Sequence, residues 1–168
     1  RKGDKSQSDV MLRSTNDGLH LEGSILWFDA RHHGDLSFLS SASLAEKTNV
    51  PQVLATEETV KILEAFKRRP NALVCQYNRP FSIGRLKMEL LPSGCVLGGA
   101  SLLVETDRKK ILYAPTLQTQ KIPTVRNMQI RKAQSLITGA YQPNPSEIHP
   151  SRKRERERLL EAVLNEIK

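Results

Sequence analysis

The stretch that decides the fold is residues 91–100, Leu-Pro-Ser-Gly-Cys-Val-Leu-Gly-Gly-Ala. Residues 84–91, before it, alternate apolar and polar side chains, which predicts a β-strand. Residues 100–105 and 110–113, after it, flank a polar turn at 106–109 and predict a hairpin. Glycine permits tight backbone turns. The stretch is therefore predicted to be a compact loop between two strands.

Short apolar segments separated by turn residues extend in both directions from this loop. Residues 10–13 and 19–21 flank Asn16-Asp17-Gly18, a strong hairpin signal. Further strands are predicted at 24–28, 36–40, 52–55 and 135–138, and Leu73-Val74-Cys75 is a strand-like run with Cys75 in the core. A helix is predicted from Thr56, with Val60, Leu63 and Phe66 on its apolar side. This order predicts a layered α/β domain.

The C-terminal part is predicted to be a proline-rich linker at 141–150 followed by an amphipathic helix at 151–168. The helix begins with a basic run. Cations near a helix N-terminus oppose the helix dipole, so contact with RNA phosphate or an acidic protein is one interpretation. A solvated helix with Lys153–Glu157 and Arg158–Glu161 pairs is the other. The candidate contact residues are Arg152, Lys153, Arg154, Arg156 and Arg158.

Composition restricts the class of protein. The chain has 168 residues, a net charge of +8 and only 5% aromatic residues. The charge favours acidic partners such as RNA, and the few aromatic side chains disfavour base stacking. Two cysteines do not make a disulfide framework, which favours an intracellular, reducing compartment. No apolar run reaches the length of a membrane span, so no membrane association is expected.

Several short motifs follow one another in a definite order. They are Ile25-Leu26-Trp27-Phe28-Asp29-Ala30, Val53-Leu54-Ala55-Thr56-Glu57-Glu58-Thr59, Phe81-Ser82-Ile83-Gly84, the loop at 92–100, Ile111-Leu112-Tyr113, Leu136-Ile137-Thr138-Gly139-Ala140-Tyr141 and His149-Pro150-Ser151-Arg152. Together they resemble the first half of the metallo-β-lactamase domain of the β-CASP nucleases, which act on RNA and DNA. The loop resembles the family's Pro-x-Gly-His-Val-Leu-Gly-x-Ala.

The resemblance implies a fold and a domain organisation. The expected fold is α/β, the N-terminal half of a metallo-β-lactamase αββα sandwich with a mixed, largely antiparallel sheet and flanking helices. The expected domains are a flexible segment and first strand at 1–18, a degenerate half domain at 19–140, and a linker and basic helix at 141–168. The second half of the sandwich is expected in the same gene product or in a partner, and without it a large apolar face is expected to be uncovered.

The chain departs from the family at the zinc ligands. The family signature Thr-His-x-His-x-Asp-His supplies the imidazoles and carboxylate that hold two zinc ions and an activated water. Aligned by strand and spacing, the chain has Ser40-Ser41-Ala42-Ser43-Leu44-Ala45-Glu46 there. Only two replacement side chains ligate zinc well, Glu46 and Cys95, which does not satisfy a dinuclear site. The degenerate positions are Ser41, Ser43, Ala45, Glu46, Cys95 in the loop, Thr116 for the bridging aspartate, and Thr138 for a glutamate.

These departures imply a catalytically inactive homologue with no cofactor and no metal. Degenerate family members pair with active nucleases in the mRNA cleavage-and-polyadenylation and Integrator complexes. The expected role is therefore a structural subunit of an RNA-processing or other ribonucleoprotein complex, with protein partners such as an active β-CASP nuclease, and with RNA. A nuclear and a mitochondrial location fit equally. Two alternatives stay open: a zinc-dependent nucleic-acid hydrolase with a rebuilt mononuclear site of Glu46, Cys95 and a nearby histidine, and a module that binds only protein.

Overall fold

The structure, a computed structural model, describes residues 12–32, 34–44, 49–107, 109–139 and 150–167. The predicted flexible segment at 1–9, most of the linker at 141–150, and Ala45 and Glu46 lie outside the described residues. Within them the chain forms eleven strands and two helices. In order they are β1 (Leu12–Thr15), β2 (Gly18–Leu21), β3 (Leu26–Phe28), β4 (Leu36–Phe38), β5 (Val53–Ala55), α1 (Glu57–Ala65), β6 (Ala72–Val74), β7 (Phe81–Ile83), β8 (Leu86–Pro92), β9 (Ala100–Glu105), β10 (Lys110–Ala114), β11 (Ser135–Thr138) and α2 (Arg152–Glu166).

The first sheet, sheet A, contains β1 to β6 in sequence order. The hairpin predicted at Asn16-Asp17-Gly18 is confirmed, since β1 and β2 are antiparallel with Thr15 opposite Gly18. Strands β3 to β6 are parallel to one another. Their carboxyl ends therefore lie at the same edge of the sheet.

The second sheet, sheet B, has the order β11-β10-β9-β8-β7. The predicted hairpin of β9 and β10 is confirmed, with Leu102 opposite Tyr113. Strands β7, β8, β9 and β10 are antiparallel neighbours, whereas β11 is parallel to β10. Antiparallel pairing thus dominates sheet B, while sheet A is mixed.

The main hydrophobic core lies between the two sheets. Leu26, Phe28 and Phe38 of sheet A belong to one buried cluster with Leu102 and Val104 of sheet B. A second cluster joins α1 to the other face of sheet A through Val60, Leu63, Leu39, Val53 and Ala55. The predicted α/β class with two packed sheets and a flanking helix is confirmed.

A long extended segment, residues 115–134, crosses the outer face of sheet B, and we call it the strap. Gln129 N donates to Pro92 O at 3.1 Å and Gln134 N donates to Lys110 O at 3.0 Å. Beneath it Leu103 and Leu112 are only 8% and 6% exposed. The expected large uncovered apolar face is not found on this side of the sandwich, because the strap covers it.

Helix α1 begins where the sequence predicts. Thr56 is its N-cap, and the Thr56 hydroxyl accepts from Thr59 N at 3.2 Å. The acidic residues Glu57 and Glu58 occupy the first turn, where the helix dipole favours negative charge. Phe66 does not complete the apolar side as predicted, since it lies beyond the last helical residue and is 76% exposed.

Some strand predictions need correction. The strand predicted at 24–28 starts only at Leu26, and Ile25 is 45% exposed, because residues 22–25 form the turn that connects β2 to β3. Gly84 belongs to a turn between β7 and β8 rather than to a strand, as its φ of 58° requires. Leu73 and Val74 lie on edge strand β6 and are exposed, while Cys75 is half-buried against the core as predicted.

Within the described residues, neither helix is both long and apolar enough to cross a lipid bilayer.

Candidate functional site

The strand ends marked by the sequence motifs lie together at one edge of the sandwich, which we call the loop edge: Asp29 and residues 40–44, 93–99, 115–116 and 138–139. Hydrogen bonds between distant segments join them. Ala100 N donates to Ser40 O at 2.8 Å, and Gly139 N donates to Pro115 O at 3.1 Å. Parallel strands explain the arrangement, since β3 with β4, and β10 with β11, end side by side.

Asp29 holds the loop edge together. One carboxylate oxygen, Oδ1, accepts from Ser40 N at 2.8 Å, and Oδ2 accepts from Ser40 Oγ at 2.7 Å and from Tyr113 OH at 2.8 Å. The residue is half-buried, and desolvation raises the pKa of the Asp29 carboxyl although the three hydrogen bonds favour the charged form. Its function in this arrangement is to fix the ends of β3, β4 and β10 relative to one another.

The two serines predicted to replace histidines form a local hydrogen-bonded pair. Ser41 is buried and Ser43 is exposed, and their hydroxyl oxygens are 3.0 Å apart. Leu44 N also donates to Ser41 Oγ, at 3.4 Å. These contacts stabilise the turn after β4.

The glycine-rich loop between β8 and β9 is packed against α1. The Gly98 carbonyl accepts from Thr56 Oγ1 at 2.8 Å and from Thr59 Oγ1 at 3.0 Å. Gly98 has a φ of 75°, and a Cβ at this position would lie 2.7 Å from Thr59 N. The loop conformation therefore requires glycine here, as the sequence predicted.

The remaining degenerate positions take part in the same edge. Cys95 is half-buried in the loop, and Cys95 N donates to Ser93 Oγ at 3.4 Å. Thr116 is half-buried just after β10, and Thr138 is exposed at the end of β11. Cys95 and Cys75 are both free thiols, in agreement with the predicted absence of a disulfide framework.

The side chains described at the loop edge do not fit a dinuclear zinc site. Ser41, Ser43 and Thr116 are neutral hydroxyls, which are poor zinc ligands, and Asp29 already accepts three structural hydrogen bonds. Among the described residues, no cluster of three His, Cys, Asp or Glu side chains has a metal-binding arrangement. No reaction step through a metal follows from this donor set.

Two tyrosines organise this region, although the sequence motifs assign neither of them a role at the site. Tyr113 matched the family strand, but its hydroxyl partner Asp29 lies 84 residues away. Tyr77 OH donates to Gly99 O at 3.0 Å, and burial, followed by the charge of Glu58, raises the pKa of Tyr77 to about 12. The guanidinium of Arg126 on the strap lies 5.3 Å from the Tyr77 ring centroid. No pattern among neighbouring residues in the sequence predicts these contacts.

Helix α2 has Ser151 as its N-cap, and the side chains of Lys153, Arg154, Arg156 and Arg158 are solvent-exposed, while that of Arg152 lies outside the described residues. Lys153 Nζ is 4.0 Å from Glu157 Oε1, as predicted. Arg158 pairs with Glu155 at 3.1 Å rather than with Glu161, and both glutamates are three residues from it on the helix. Lys121 of the strap lies beside Lys153 and Arg156, and the three line a cleft of about 510 Å³.

The apolar side chains of α2 are also exposed. Leu159, Val163 and Ile167 are 66%, 46% and 76% exposed. They recur every four residues along α2 and form a stripe that the described part of the domain leaves accessible.

The fold and the loop edge define a class of protein: a layered α/β sandwich of two sheets with strand ends and loops gathered at one edge. No family model matches the sequence, and no curated protein matches it either.

Among solved structures, a Cronobacter sakazakii metallo-β-lactamase with a HARLDQ motif is 16% identical, with a TM-score of 0.44 over 69% of this chain and 55% of that one. A B3 metallo-β-lactamase with an active-site glutamic acid is 15% identical, with a TM-score of 0.43 over 68% and 59%. A protein of unknown function from Enterococcus faecalis is 17% identical, with a TM-score of 0.42 over 50% and 25%. The chain thus spans between a quarter and about 59% of the length of these proteins.

Proposed function

We propose that this chain is a non-catalytic metallo-β-lactamase-type domain of the β-CASP branch that acts as a structural subunit of an RNA-processing or other ribonucleoprotein complex. The observation that carries the proposal is the chemistry of the loop edge. Where the family holds two metals, Ser41 and Ser43 bond to each other, and Asp29 binds Ser40 and Tyr113. In this interpretation the chain retains the backbone turn and the contacts between the sheets, but it has other side chains where the active family members have zinc ligands.

The basic helix α2 supports the second part of the proposal, contact with RNA. Lys153, Arg154, Arg156 and Arg158 are exposed, and only two of them have an ion-pair partner within the described residues. Exposed cations on one helix bind the phosphate backbone without reading its sequence. A partner nuclease or other protein subunits would associate with the same domain.

The experiment that tests the proposal measures metal content and cleavage together. We expect the purified chain to hold well below one zinc ion per molecule by plasma mass spectrometry, and to leave labelled single-stranded RNA intact with added zinc. Cys95→Ala and Glu46→Ala should change neither result. Stoichiometric zinc together with RNA cleavage that a chelator stops, and that either substitution abolishes, would establish the mononuclear hydrolase instead.

Affinity purification from the native cells tests the assembly. Co-purification of an active β-CASP nuclease, or of several ribonucleoprotein subunits in fixed ratio, is the expected result. Recovery of an isolated monomer contradicts the proposed role as a subunit.

A further inference from the structure

The positive charge of the chain is concentrated in one segment. Between Arg108 and Ser146 there is no acidic residue in 39 positions, and the segment contains seven basic residues. The rest of the chain has 19 basic and 18 acidic residues and is almost neutral. The net charge of +8 therefore comes almost entirely from the part of the chain that contains β10, the strap and β11.

The strap places part of this charge on the outer face of sheet B. A groove of about 320 Å³ lies between the end of the strap and the sheet, and we call it the strap groove. Lys87, Glu105 and Lys110 form a row across β8, β9 and β10, since Glu105 is the register partner of both lysines. The charged side chains that line the groove are Lys87, Glu89, Glu105, Lys110, Arg131 and Lys132.

Two of the four basic side chains that line the groove belong to no ion pair within the described residues. Lys110 Nζ is 3.0 Å from Glu105 Oε2, and Arg131 is 3.0 Å from Glu89 Oε1. Lys87 and Lys132 are exposed and form no ion pair within the residues that the structure describes. The charge of Lys87 also acts on the Glu105 carboxylate, but the groove is lined by four cationic and only two acidic side chains, so positive charge remains in excess.

We infer that the strap groove binds the phosphate backbone of single-stranded RNA, through Lys87 and Lys132. The RNA contact belongs to the proposed function, on which this inference rests, but the surface is separate from helix α2. The proposed contacts are to phosphate groups, which are the same at every nucleotide, so binding is independent of base sequence.

The test is a titration of an unstructured, fluorescently labelled 20-nucleotide RNA with the intact chain, followed by anisotropy at several salt concentrations. The test variant is Lys87→Gln/Lys132→Gln. Its matched control, Lys61→Gln/Arg69→Gln, removes the same charge from helix α1 and the segment after it, on the far side of sheet A. Circular dichroism establishes that both variants are folded.

The expected result is a Kd about tenfold higher for the test variant than for the control, and a salt dependence flatter by roughly 0.7 in log–log slope for each lost phosphate contact. A test variant that binds like the control overturns the inference. If Arg154→Gln/Arg156→Gln then weakens binding, the proposed RNA contact of α2 still stands. If the intact chain binds no RNA, the inference is overturned. The proposed non-catalytic role is then still tested separately, by the measurements of zinc content and RNA cleavage. Polyglutamate is the competitor that tests for a general surface for acidic partners. If it displaces the labelled RNA as effectively as unlabelled RNA does, the inference is also overturned.

Discussion

At the scale of single residues, Asp29 determines how the loop edge is built. It has a φ of 46°, in the left-handed region that aspartate and asparagine tolerate better than most residues. Its carboxylate accepts from the Ser40 amide, the Ser40 hydroxyl and the Tyr113 hydroxyl. One side chain therefore satisfies donors from two sheets, at the cost of removing a charge from water.

Asp29→Asn should change the pH dependence of stability. Burial raises the folded-state pKa of Asp29 above its unfolded value of about 3.9. The folded protein then binds more protons than the unfolded one, so this contribution is fully present below the unfolded pKa and is lost as pH rises through the folded pKa. Asparagine keeps the shape, the left-handed backbone and the acceptor for Ser40 N. We expect its free energy of unfolding, relative to the native chain, to rise between pH 4 and pH 7 in urea titrations.

Asp29→Ala is the matched comparison for this substitution. It leaves the donors of Ser40 and Tyr113 without an acceptor and should cost about 1–3 kcal/mol at every pH. An asparagine variant as unstable as the alanine variant at pH 7 contradicts the account.

At the scale of elements, the contact between the loop at 93–99 and α1 joins two motifs that are about 40 residues apart in sequence. The Gly98 carbonyl accepts from the Thr56 and Thr59 hydroxyls. The Thr56 hydroxyl also accepts from Thr59 N, so the same side chain caps the helix and binds the loop. The helix start is thereby fixed to the β8–β9 connection.

Gly98→Ala should destabilise the domain more than Gly23→Ala does. Both glycines have a φ of 75°, so both substitutions carry the left-handed cost of about 1–2 kcal/mol. At Gly98 the new Cβ also meets Thr59 N at 2.7 Å, whereas at Gly23 nothing lies within 4 Å. We expect a larger loss of unfolding free energy for Gly98→Ala in parallel denaturant titrations. Equal losses would show that the loop moves away from α1 without cost.

At the scale of the whole molecule, stability comes from burying the facing sides of two sheets. Phe28 and Phe38 of sheet A both contact the Tyr113 ring of sheet B, with ring centroids 4.8 Å and 6.2 Å apart. The strap and α1 then cover the two outer faces. The sandwich therefore has a continuous core within the part of the chain that the structure describes.

Leu102→Ala and Leu136→Ala test this packing with the same chemical change on one sheet. Leu102 is fully buried between the sheets, and its truncation should cost about 2–5 kcal/mol. Leu136 on edge strand β11 is 59% exposed, and its truncation should cost below about 0.5 kcal/mol. Thermal unfolding measures both. A large loss for Leu136→Ala would show that β11 packs against a further part of the protein.

The sequence by itself determined the features that depend on neighbouring residues. The turn at Asn16-Asp17-Gly18, the Thr56 cap, the β9–β10 hairpin and the glycine-rich loop follow from local backbone preferences and short periodic patterns, and the structure confirms them. The α/β class followed from their order. The site residues were assigned from motif positions and stay predictions, with Ala45 and Glu46 outside the described residues.

Only the tertiary structure decided which distant groups meet. Asp29 contacts Tyr113 across 84 positions, and the Gly98 carbonyl accepts from Thr56 and Thr59 on another element. The strap has neither helical nor strand periodicity, so its course over sheet B was not predictable from the sequence. The physical reason is common to all of these: a local pattern fixes a backbone conformation, whereas hydrogen bonds, ion pairs and burial between remote segments depend on how the sheets pack.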